Sequence, residues 1–296
     1  MRTCTSHGPG VYVSWSAPIV HRLRQRVRPA EDSPCADVTI AGDMKISIVT
    51  VCFNSAETIV DTLRSVADQT YPDIEHIVVD GASSDNTRAL IEEHGKRVAK
   101  SISEPDLGIY HAMNKGLVMA TGDVVGFLNS DDIYADPRVL ERVAHAFGDP
   151  DVGAVYGDIV FVARQDTSHV VRLWTSRSYA PGLCSRGWMP PHPSLYVRRS
   201  VYEKYGGYDL AFPAAADFEM ALRLLDIERV SSVYVPTIQV RMRMGGQSTR
   251  SIRNIISGSR EVSRACRKHG LPGGIRFAVA RLLVKLPQFL QRPKPL

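Results

Sequence analysis

Short apolar runs alternate with amphipathic helical stretches from Lys45 to Leu128. The apolar runs have the length and the β-branched content of buried strands. Strands that alternate with helices at short spacing predict βαβ units and a mostly parallel, Rossmann-like α/β sheet. The predicted strands cover residues 46–51, 74–80, 98–103 and 124–128, and one of the helices between them covers residues 108–120.

The starts of the helices are predicted from capping residues. Asn54, with Glu57 three residues later, has the spacing of a capping box and would begin the first helix. Asp136 before Pro137 marks another helix start, because proline is well placed at the first helical position.

The second half of the chain loses this regular alternation. Its pattern predicts antiparallel strands at residues 152–162 and 170–174, a short strand at 194–197, a helix at 214–225 and a last strand at 230–235. Arg243 would then lie in a glycine-containing loop after that strand.

Two adjacent carboxylates, Asp131 and Asp132, follow the predicted strand 124–128. Open α/β sheets bind their ligands at the carboxyl ends of the strands, where this pair would lie. Neighbouring carboxylates repel unless a cation or a shared proton relieves them, and oxygen ligands suit Mg²⁺ or Mn²⁺. A solvated turn uses the same residue types, so this stretch alone leaves both interpretations open.

Asp80 ends the predicted strand 74–80, and Asp85 precedes the next helix. A carboxylate at a strand end can accept hydrogen bonds from a base N–H or a ribose hydroxyl. Turn and cap roles are the alternative for both acids, and Asp80 is the stronger ligand candidate. The chain has neither GxGxxG nor GxxxxGK[ST], which disfavours a dinucleotide site and a P-loop.

Four motifs, in order over residues 45–248, resemble family 2 glycosyltransferases. They are KISIVTVCFN at 45–54, DGASSDNT at 80–87, EPDLGIY at 104–110 followed by NKG at 114–116, and NSDD at 129–132. The resemblance points to the branch that makes bacterial surface polysaccharides of the colanic-acid and O-antigen kind. It implies a GT-A fold, in which a nucleotide-binding sheet merges into an acceptor-binding half.

On the donor side, the resemblance implies that Asp80 contacts the nucleobase, usually uracil. It also implies that Asp131 and Asp132 hold the ribose and a divalent metal, Mg²⁺ or Mn²⁺, on the diphosphate. Asn129 stands where many relatives have Asp, so the metal would depend more heavily on the two acids.

Four further residues are assigned to the donor side. Asp85 and Asn114, with Tyr110, are expected near the nucleotide. Arg243, before Gly245, resembles the family's terminal loop, from which a basic group reaches the diphosphate. A plain glycine turn is the alternative for this loop.

On the acceptor side, Asp217 follows three alanines at a predicted helix start, where relatives place their catalytic carboxylate. A base there would deprotonate the acceptor hydroxyl. Glu219 is the alternative base, and an N-cap is the alternative role for Asp217. His192, in a proline-rich loop, is a weaker candidate for the acceptor pocket.

The net charge is +5, and the basic residues concentrate at the carboxyl end. Residues 1–43 are predicted to be a disordered extension, 44–249 the GT-A domain (44–135 nucleotide-binding, 136–249 acceptor-binding) and 250–296 a basic helical tail. The tail has the charge pattern of an interfacial helix on the inner membrane surface, or of a solvated face packed on the domain. Five scattered cysteines without a Cys/His cluster indicate a reduced, cytoplasmic setting and no zinc site.

These features predict an enzyme that moves a sugar from a nucleotide diphosphate donor, a UDP-sugar, to a hydroxyl of a glycan acceptor, free or lipid-linked. The resemblance implies inversion at the anomeric carbon. The alternatives are a sugar-1-phosphate nucleotidyltransferase and a catalytically inactive nucleotide-sugar or glycan-binding protein. Nucleic-acid binding is not expected, because the basic tail lacks interleaved aromatics and a recognised module.

Overall fold

The structure, a computed structural model, describes residues 44–245 and 252–272, with side chains from residue 257 onward in the second range. The strands are β1 (Ile46–Cys52), β2 (Ile74–Asp80), β3 (Val98–Ser103), β4 (Val124–Phe127), β5 (Asp132–Tyr134), β6 (Ala154–Val162), β7 (Val170–Trp174), β8 (Tyr196–Arg198) and β9 (Ser232–Arg243). The helices are α1 (Ile59–Ala67), α2 (Thr87–His94), α3 (Ile109–Met119), α4 (Val139–Ala146), α5 (Arg199–Tyr205), α6 (Ala216–Ala221) and α7 (Ile252–Lys268).

All nine strands form one sheet, in the order β3-β2-β1-β4-β8-β6-β9-β5, with β7 beside the far end of β6. The first four strands are parallel, as the βαβ pattern predicts. Strand β8 is antiparallel to both β4 and β6, and so joins the parallel half to the second half. Strand β9 lies between β6 and β5. The sheet is therefore mixed, and its first half confirms the predicted α/β architecture.

Helices cover both faces of the sheet. On one face, α3 and α6 pack over Val49, Phe127 and Tyr156. On the other face, α4 packs over Ile48 and the inward side chains of β6. These two cores hold the sheet rigid and leave the carboxyl ends of β1, β2 and β4 open at one edge.

The predicted capping box at the start of α1 is wrong. The residue that precedes α1 is Thr58, and its side chain makes no capping hydrogen bond. Asn54 lies further back with φ of 49° and binds the loop after β2. Glu57 pairs with Arg164 at 2.6 Å. The loop after β1 is thus held by contacts across the sheet edge, and these override the local capping signal.

Other differences lie in the second half. The predicted helix 214–225 is the short α6 followed by a π-helical turn, Leu222–Ile227. The predicted last strand is longer, because β9 continues to Arg243, so this residue lies in a strand. The sequence pattern missed β5 and α5, which are three and seven residues long.

Candidate active site

The loops after β1, β2 and β4 are tied to one another at the carboxyl edge of the parallel strands. Ser55 Oγ lies 2.8 Å from Ser130 Oγ, which joins the loop after β1 to the loop after β4. Ser55 N also donates to Thr87 Oγ1 at 2.8 Å, and Ser84 N donates to Asn54 Oδ1 at 2.9 Å. The three loops form one continuous wall at the edge where such sheets bind ligands.

Asp80 lies at the base of this wall and is 2% exposed. Its carboxylate accepts hydrogen bonds from Ser83 N at 3.0 Å and Ser103 Oγ at 2.6 Å, and the Ser83 hydroxyl donates as well. These bonds fix the turn after β2, in which Ala82 adopts a φ of 61°. Asp80 therefore fixes this edge of the site, and its contact with a nucleobase stays a prediction.

Phe53 and Asp106 close on the turn at Gly81 from two sides. A methyl group on Gly81 would lie 2.5 Å from Asp106 Oδ2, so the Asp106 side chain would have to move, and 3.4 Å from the Phe53 ring, which is ordinary contact. The Phe53 ring is 58% exposed. An open ring face beside a carboxylate can stack on a flat base and accept its N–H groups.

Asp85 is occupied with local contacts. Its carboxylate accepts from Thr87 N at 3.0 Å, from the Thr87 hydroxyl at 2.5 Å and from Ala56 N at 3.1 Å. Burial opposes ionisation, but these hydrogen bonds outweigh it and lower the pKa of Asp85. These contacts support the cap and turn alternative for Asp85.

The acidic tip after β4 has a buried and a more accessible carboxylate. Asp132 is fully buried, and within the described part of the chain neither of its carboxylate oxygens, nor Asn129 Oδ1, has a hydrogen-bond partner. Burial, and then the charge on Asp131, raise the pKa of Asp132 well above its ordinary value. Asp131 is only half-buried.

The acidic tip carries oxygen donors that bear on the predicted divalent cation. The described residues contain no group of three or more His, Cys, Asp and Glu side chains arranged to hold a metal ion. The tip nevertheless offers the unpartnered oxygens of Asn129 and Asp132 next to the carboxylate of Asp131. Oxygen donors of this kind suit Mg²⁺ and Mn²⁺, and a cation would relieve the buried charge. The donor set fits such an ion.

Arg243 lies directly beneath the tip. Its guanidinium donates to the Asp131 carbonyl at 3.1 Å and to the Arg164 carbonyl at 3.2 Å, and it forms an ion pair with Asp61. The side chain is only 5% exposed. Arg243 thus supports the backbone of the acidic tip, and the predicted contact with a diphosphate stays a prediction. Residues 246–248 of the predicted loop lie outside the described residues.

Asp217 lies half-buried in the first turn of α6, on the side of Tyr110, His192 and Tyr208, and this side is called the cleft below. One carboxylate oxygen accepts from Phe218 N at 2.8 Å, but the residue preceding α6 is Ala215, so Asp217 is not the N-cap. The Tyr110 phenol lies beside it. Burial first, and then the charge and hydrogen bond of Asp217, raise the pKa of Tyr110 well above its ordinary value. A carboxylate in this aromatic setting can accept a proton from a bound hydroxyl.

An aromatic group surrounds Asp217. Tyr110 stacks on Tyr208 with ring centroids 5.4 Å apart, and His192 Nε2 lies 2.7 Å from the Tyr208 hydroxyl. Phe127, at the end of β4, meets the Tyr208 ring edge-on at 5.2 Å. Burial lowers the pKa of His192 although the charge on Asp217 opposes this, so the imidazole is neutral near pH 7. The predicted acceptor-side residues His192 and Asp217 are therefore brought together, and Tyr110 joins them instead of the donor wall.

Asn114 positions this group from α3. Its side-chain amide donates to the Tyr208 carbonyl at 2.8 Å and accepts from Tyr208 N at 2.9 Å. Both ends of the amide are used on the backbone of one residue. This favours a positioning role for Asn114 over the predicted donor contact.

Glu219 points away from the cleft. It is fully buried and forms ion pairs with Arg223, Lys268 and His269. Burial is outweighed by these partners, which lower the pKa of Glu219. This surrounding favours Asp217 over Glu219 as the base.

Sequence reasoning missed Tyr208 and Phe127 as parts of this site. Tyr208 follows a Gly-Gly pair in a loop, and its contact with Asn114 joins residues 94 positions apart. No local period reveals such a contact. Phe127 was included in the predicted strand but was not recognised as a wall of the cleft.

The sequence was compared with family models and with curated proteins. Residues 47–205 match the model described as glycosyl transferase family 2. An uncharacterised glycosyltransferase of Mycobacterium tuberculosis is 34% identical over 181 residues, which cover 60% of this chain and 68% of the relative. A PGL/p-HBAD biosynthesis glycosyltransferase of Mycobacterium bovis is 29% identical over 185 residues, again covering 60% and 68%.

The fold was compared with solved structures. Residues 1–349 of TarS from S. aureus, in complex with UDP-GlcNAc, superpose with a TM-score of 0.57 at 16% identity, covering 83% of this chain and 72% of that one. The mannosyltransferase PcManGT from Pyrobaculum calidifontis, in complex with GDP-Man and Mn²⁺, gives a TM-score of 0.58 at 20% identity, covering 83% and 71%. At these identities the likeness shows a shared GT-A fold.

Proposed function

The chain belongs to glycosyl transferase family 2, and from this premise we propose that it transfers a sugar from a UDP-sugar to a hydroxyl of a glycan acceptor, with inversion. The observation that carries the proposal is the position of Asp217. Its carboxylate faces the cleft among Tyr110, Tyr208 and His192, on a different wall from the loops after β1, β2 and β4. A base and a leaving group on separate walls suit a displacement at the carbon between them.

The donor wall supports a nucleotide diphosphate ligand. Phe53 and Asp106 offer a ring face and a carboxylate beside the turn that Asp80 fixes. Related folds have been solved with UDP-GlcNAc and with GDP-Man and Mn²⁺. The uridine assignment rests on the family resemblance of the Asp80 motif.

Asp131 and Asp132, with the Asn129 oxygen, would hold a divalent cation at the tip. When bound, this ion neutralises the charge that develops on the leaving diphosphate. Arg243 keeps the Asp131 backbone in place beneath it.

On the other wall, Asp217 would take the proton of the acceptor hydroxyl. The Tyr110 phenol lies beside the Asp217 carboxylate and is placed to donate a hydrogen bond that would orient it. Tyr208 carries its hydroxyl towards a neutral His192, which can donate or accept a hydrogen bond to a sugar hydroxyl. The aromatic walls limit the access of water, which would otherwise compete for the donor.

The acceptor is proposed to be a growing surface polysaccharide, from the sequence resemblance. The matched relatives either carry no assigned acceptor or are named for PGL/p-HBAD biosynthesis.

The substitution Asp217→Asn tests this function. Asparagine keeps the shape and still accepts the Phe218 N–H bond, but it does not take up a proton at neutral pH. Turnover of UDP-sugar with an oligosaccharide acceptor should fall by roughly 10²–10⁴-fold, the usual contribution of a positioned general base. Donor affinity, measured by calorimetry with UDP, should not change.

Asp151→Asn, at an exposed site between α4 and β6, is the matched control and should leave both measurements unchanged. Near-normal turnover in Asp217→Asn would contradict the base assignment. Loss of UDP binding in the same variant would place Asp217 on the donor wall instead.

A further inference from the structure

A buried ion cluster joins α7 to the segment that carries Asp217. At its centre, Glu219 Oε1 lies 3.1 Å from Lys268 Nζ and 2.8 Å from His269 Nε2. Arg223 Nη2 lies 3.1 Å from the other carboxylate oxygen of Glu219. Three cationic or polarisable groups thus meet one fully buried carboxylate, and two of them come from the end of α7.

The position of Glu219 on α6 links this cluster to the cleft. Residues two apart on a helix point roughly 200° away from each other, because each residue turns about 100°. Asp217 therefore faces the cleft while Glu219 faces α7. Asp217 and Glu219 lie within the same turn of the six-residue helix α6, so a displacement of the Glu219 backbone would also displace Asp217.

The same cluster holds Tyr208. Arg223 donates to the carbonyls of Tyr205 and Gly207 at 2.5 and 2.6 Å, on the segment that leads into Tyr208. Lys268 also pairs with Asp209 at 2.7 Å, directly after Tyr208. The segments that supply Tyr208 and Asp217 are therefore anchored to one set of charges.

Other contacts bring α7 onto the same segment. Glu261 Oε2 accepts from Ala214 N at 2.7 Å, and the Arg264 guanidinium lies 4.7 Å from the centre of the Phe212 ring. Val262, Ala265 and Cys266 of α7 are buried in the core beneath it. The helix is thus docked along the acceptor segment by apolar packing, and the Glu219 cluster fixes its end.

We propose that Lys268 and Glu219 are positioning residues, through which docked α7 holds Asp217 and Tyr208 at the geometry needed for proton transfer. This rests on the proposed base role of Asp217. The described partners of the pair are other protein side chains, and none of them lies on the loops after β1, β2 and β4, so we expect its contribution in the chemical step. A small displacement of a general base lowers the rate of the chemical step, because proton transfer needs the donor and acceptor heavy atoms at hydrogen-bond distance.

The test compares the Lys268→Met variant with two other variants, all made in the full chain. The Lys268 side chain is 44% exposed. Methionine keeps most of its apolar stem and removes only the positive charge. Arg267→Met is the matched control, because it removes a positive charge at the adjacent position, whose described hydrogen bond goes to Ser263. Lys268→Arg is the conservative variant. All three are measured for kcat, donor KM and Tm, together with Glu219→Gln and Asp217→Asn.

We expect kcat of Lys268→Met to fall by roughly 10-fold with donor KM and Tm nearly unchanged, because the base is displaced while the donor wall is not. Lys268→Arg should recover most of the loss, Arg267→Met should match the wild type, and Glu219→Gln should lose more than Lys268→Met. Normal kcat in Lys268→Met and in folded Glu219→Gln, alongside an inactive Asp217→Asn, would overturn the inference and leave the proposed function intact. An active Asp217→Asn would overturn both.

Discussion

At the scale of single residues, Asp132 carries a stability cost that the fold retains. Its carboxylate is fully buried, without a hydrogen-bond partner in the described part of the chain, and burial raises its pKa. In an unfolded chain the pKa of an aspartate is about 3.9. Because the folded pKa is higher, ionisation disfavours the folded state. The free energy of unfolding therefore falls as pH rises from about 4 to the folded pKa, and is level above it.

Asp132→Asn removes this ionisation while keeping the size of the side chain. We expect Tm at pH 7 to rise by roughly 2–4 °C, the shift that about 1 kcal/mol gives in a domain of this size. The pH-dependent loss above pH 4 should shrink in the same variant. Differential scanning fluorimetry across pH measures both effects.

Mn²⁺ extends the test of Asp132. A cation that satisfies the buried oxygens should raise Tm of the wild type and have little effect on Asp132→Asn. Asp151→Asn, at an exposed aspartate, should respond to pH and Mn²⁺ like the wild type. A lower Tm for Asp132→Asn at pH values where the wild-type carboxylate is ionised would mean that the ionised carboxylate stabilises the fold.

Residues differ in how far their roles could be read from the sequence. Asp217 could be named because an acid after small residues at a helix start is a local pattern with a family match. The support that Asn114 gives to Tyr208 could not, since it depends on a contact across 94 positions. Arg243 was recognised as part of the site, but its burial beneath Asp131 follows from the pairing of β9, which the local pattern did not contain.

At the scale of elements, the contact between α3 and β1 depends on Gly116. A methyl group at this position would overlap the side chain of Val49 on β1. Because α3 also carries Tyr110 and Asn114, its distance from the sheet sets the position of the acceptor wall.

Gly116→Ala should therefore destabilise the protein by roughly 1–3 kcal/mol, as overpacking of a tight core does. In the double variant with Val49→Ala the combined loss should be less than the sum of the two single losses, because the smaller residue makes room. Urea unfolding followed by circular dichroism gives each value. Val118→Ala, at an 87% exposed position on α3, is the control. Strictly additive losses would show that the two residues do not compete for space.

The elements that the sequence predicted well are those with strong local periods. Strands β1, β2, β3 and β4 and helix α3 lie within a residue or so of their predicted bounds. The elements that the sequence pattern missed are short, or they form only because they pair with a strand that is distant in the sequence. Strand β5 has three residues and exists as a strand because it pairs with β9. The extension of β9 to Arg243 is created by the same pairing.

At the scale of the whole molecule, the described chain begins at Met44, whose carbonyl accepts from the Tyr71 hydroxyl. It ends just after α7, and no helix within it is long and apolar enough to cross a bilayer. The predicted extension 1–43 and the part of the basic tail beyond residue 272 lie outside the described residues. The assignment of that tail to a membrane surface stays a prediction.

A shortened chain of residues 44–272 tests the domain without the predicted extension and the end of the basic tail. It should fold with Tm close to that of the full chain and keep its kcat on a soluble acceptor, because it contains every residue placed in the site. Its binding to anionic liposomes should be weaker and less sensitive to salt, since basic residues near a lipid surface contribute about 1 kcal/mol each. Neutral liposomes are the control. Insolubility or a much lower Tm would show that the removed segments pack on the domain.

The position of β9 in the sheet affects the order in which the site forms during co-translational folding. Strand β5, which begins at Asp132, pairs with residues 240–242, and Arg243 then secures Asp61 and the Asp131 carbonyl. The acidic edge, although translated near the middle of the chain, is thus assembled only when the last strand has emerged, because its partners are distant in sequence. The loops after β1 and β2 are translated long before β9, which completes the acidic edge. A nascent chain that lacks β9 would therefore contain the loops after β1 and β2 but not the assembled acidic tip, and we expect it to be unable to transfer a sugar.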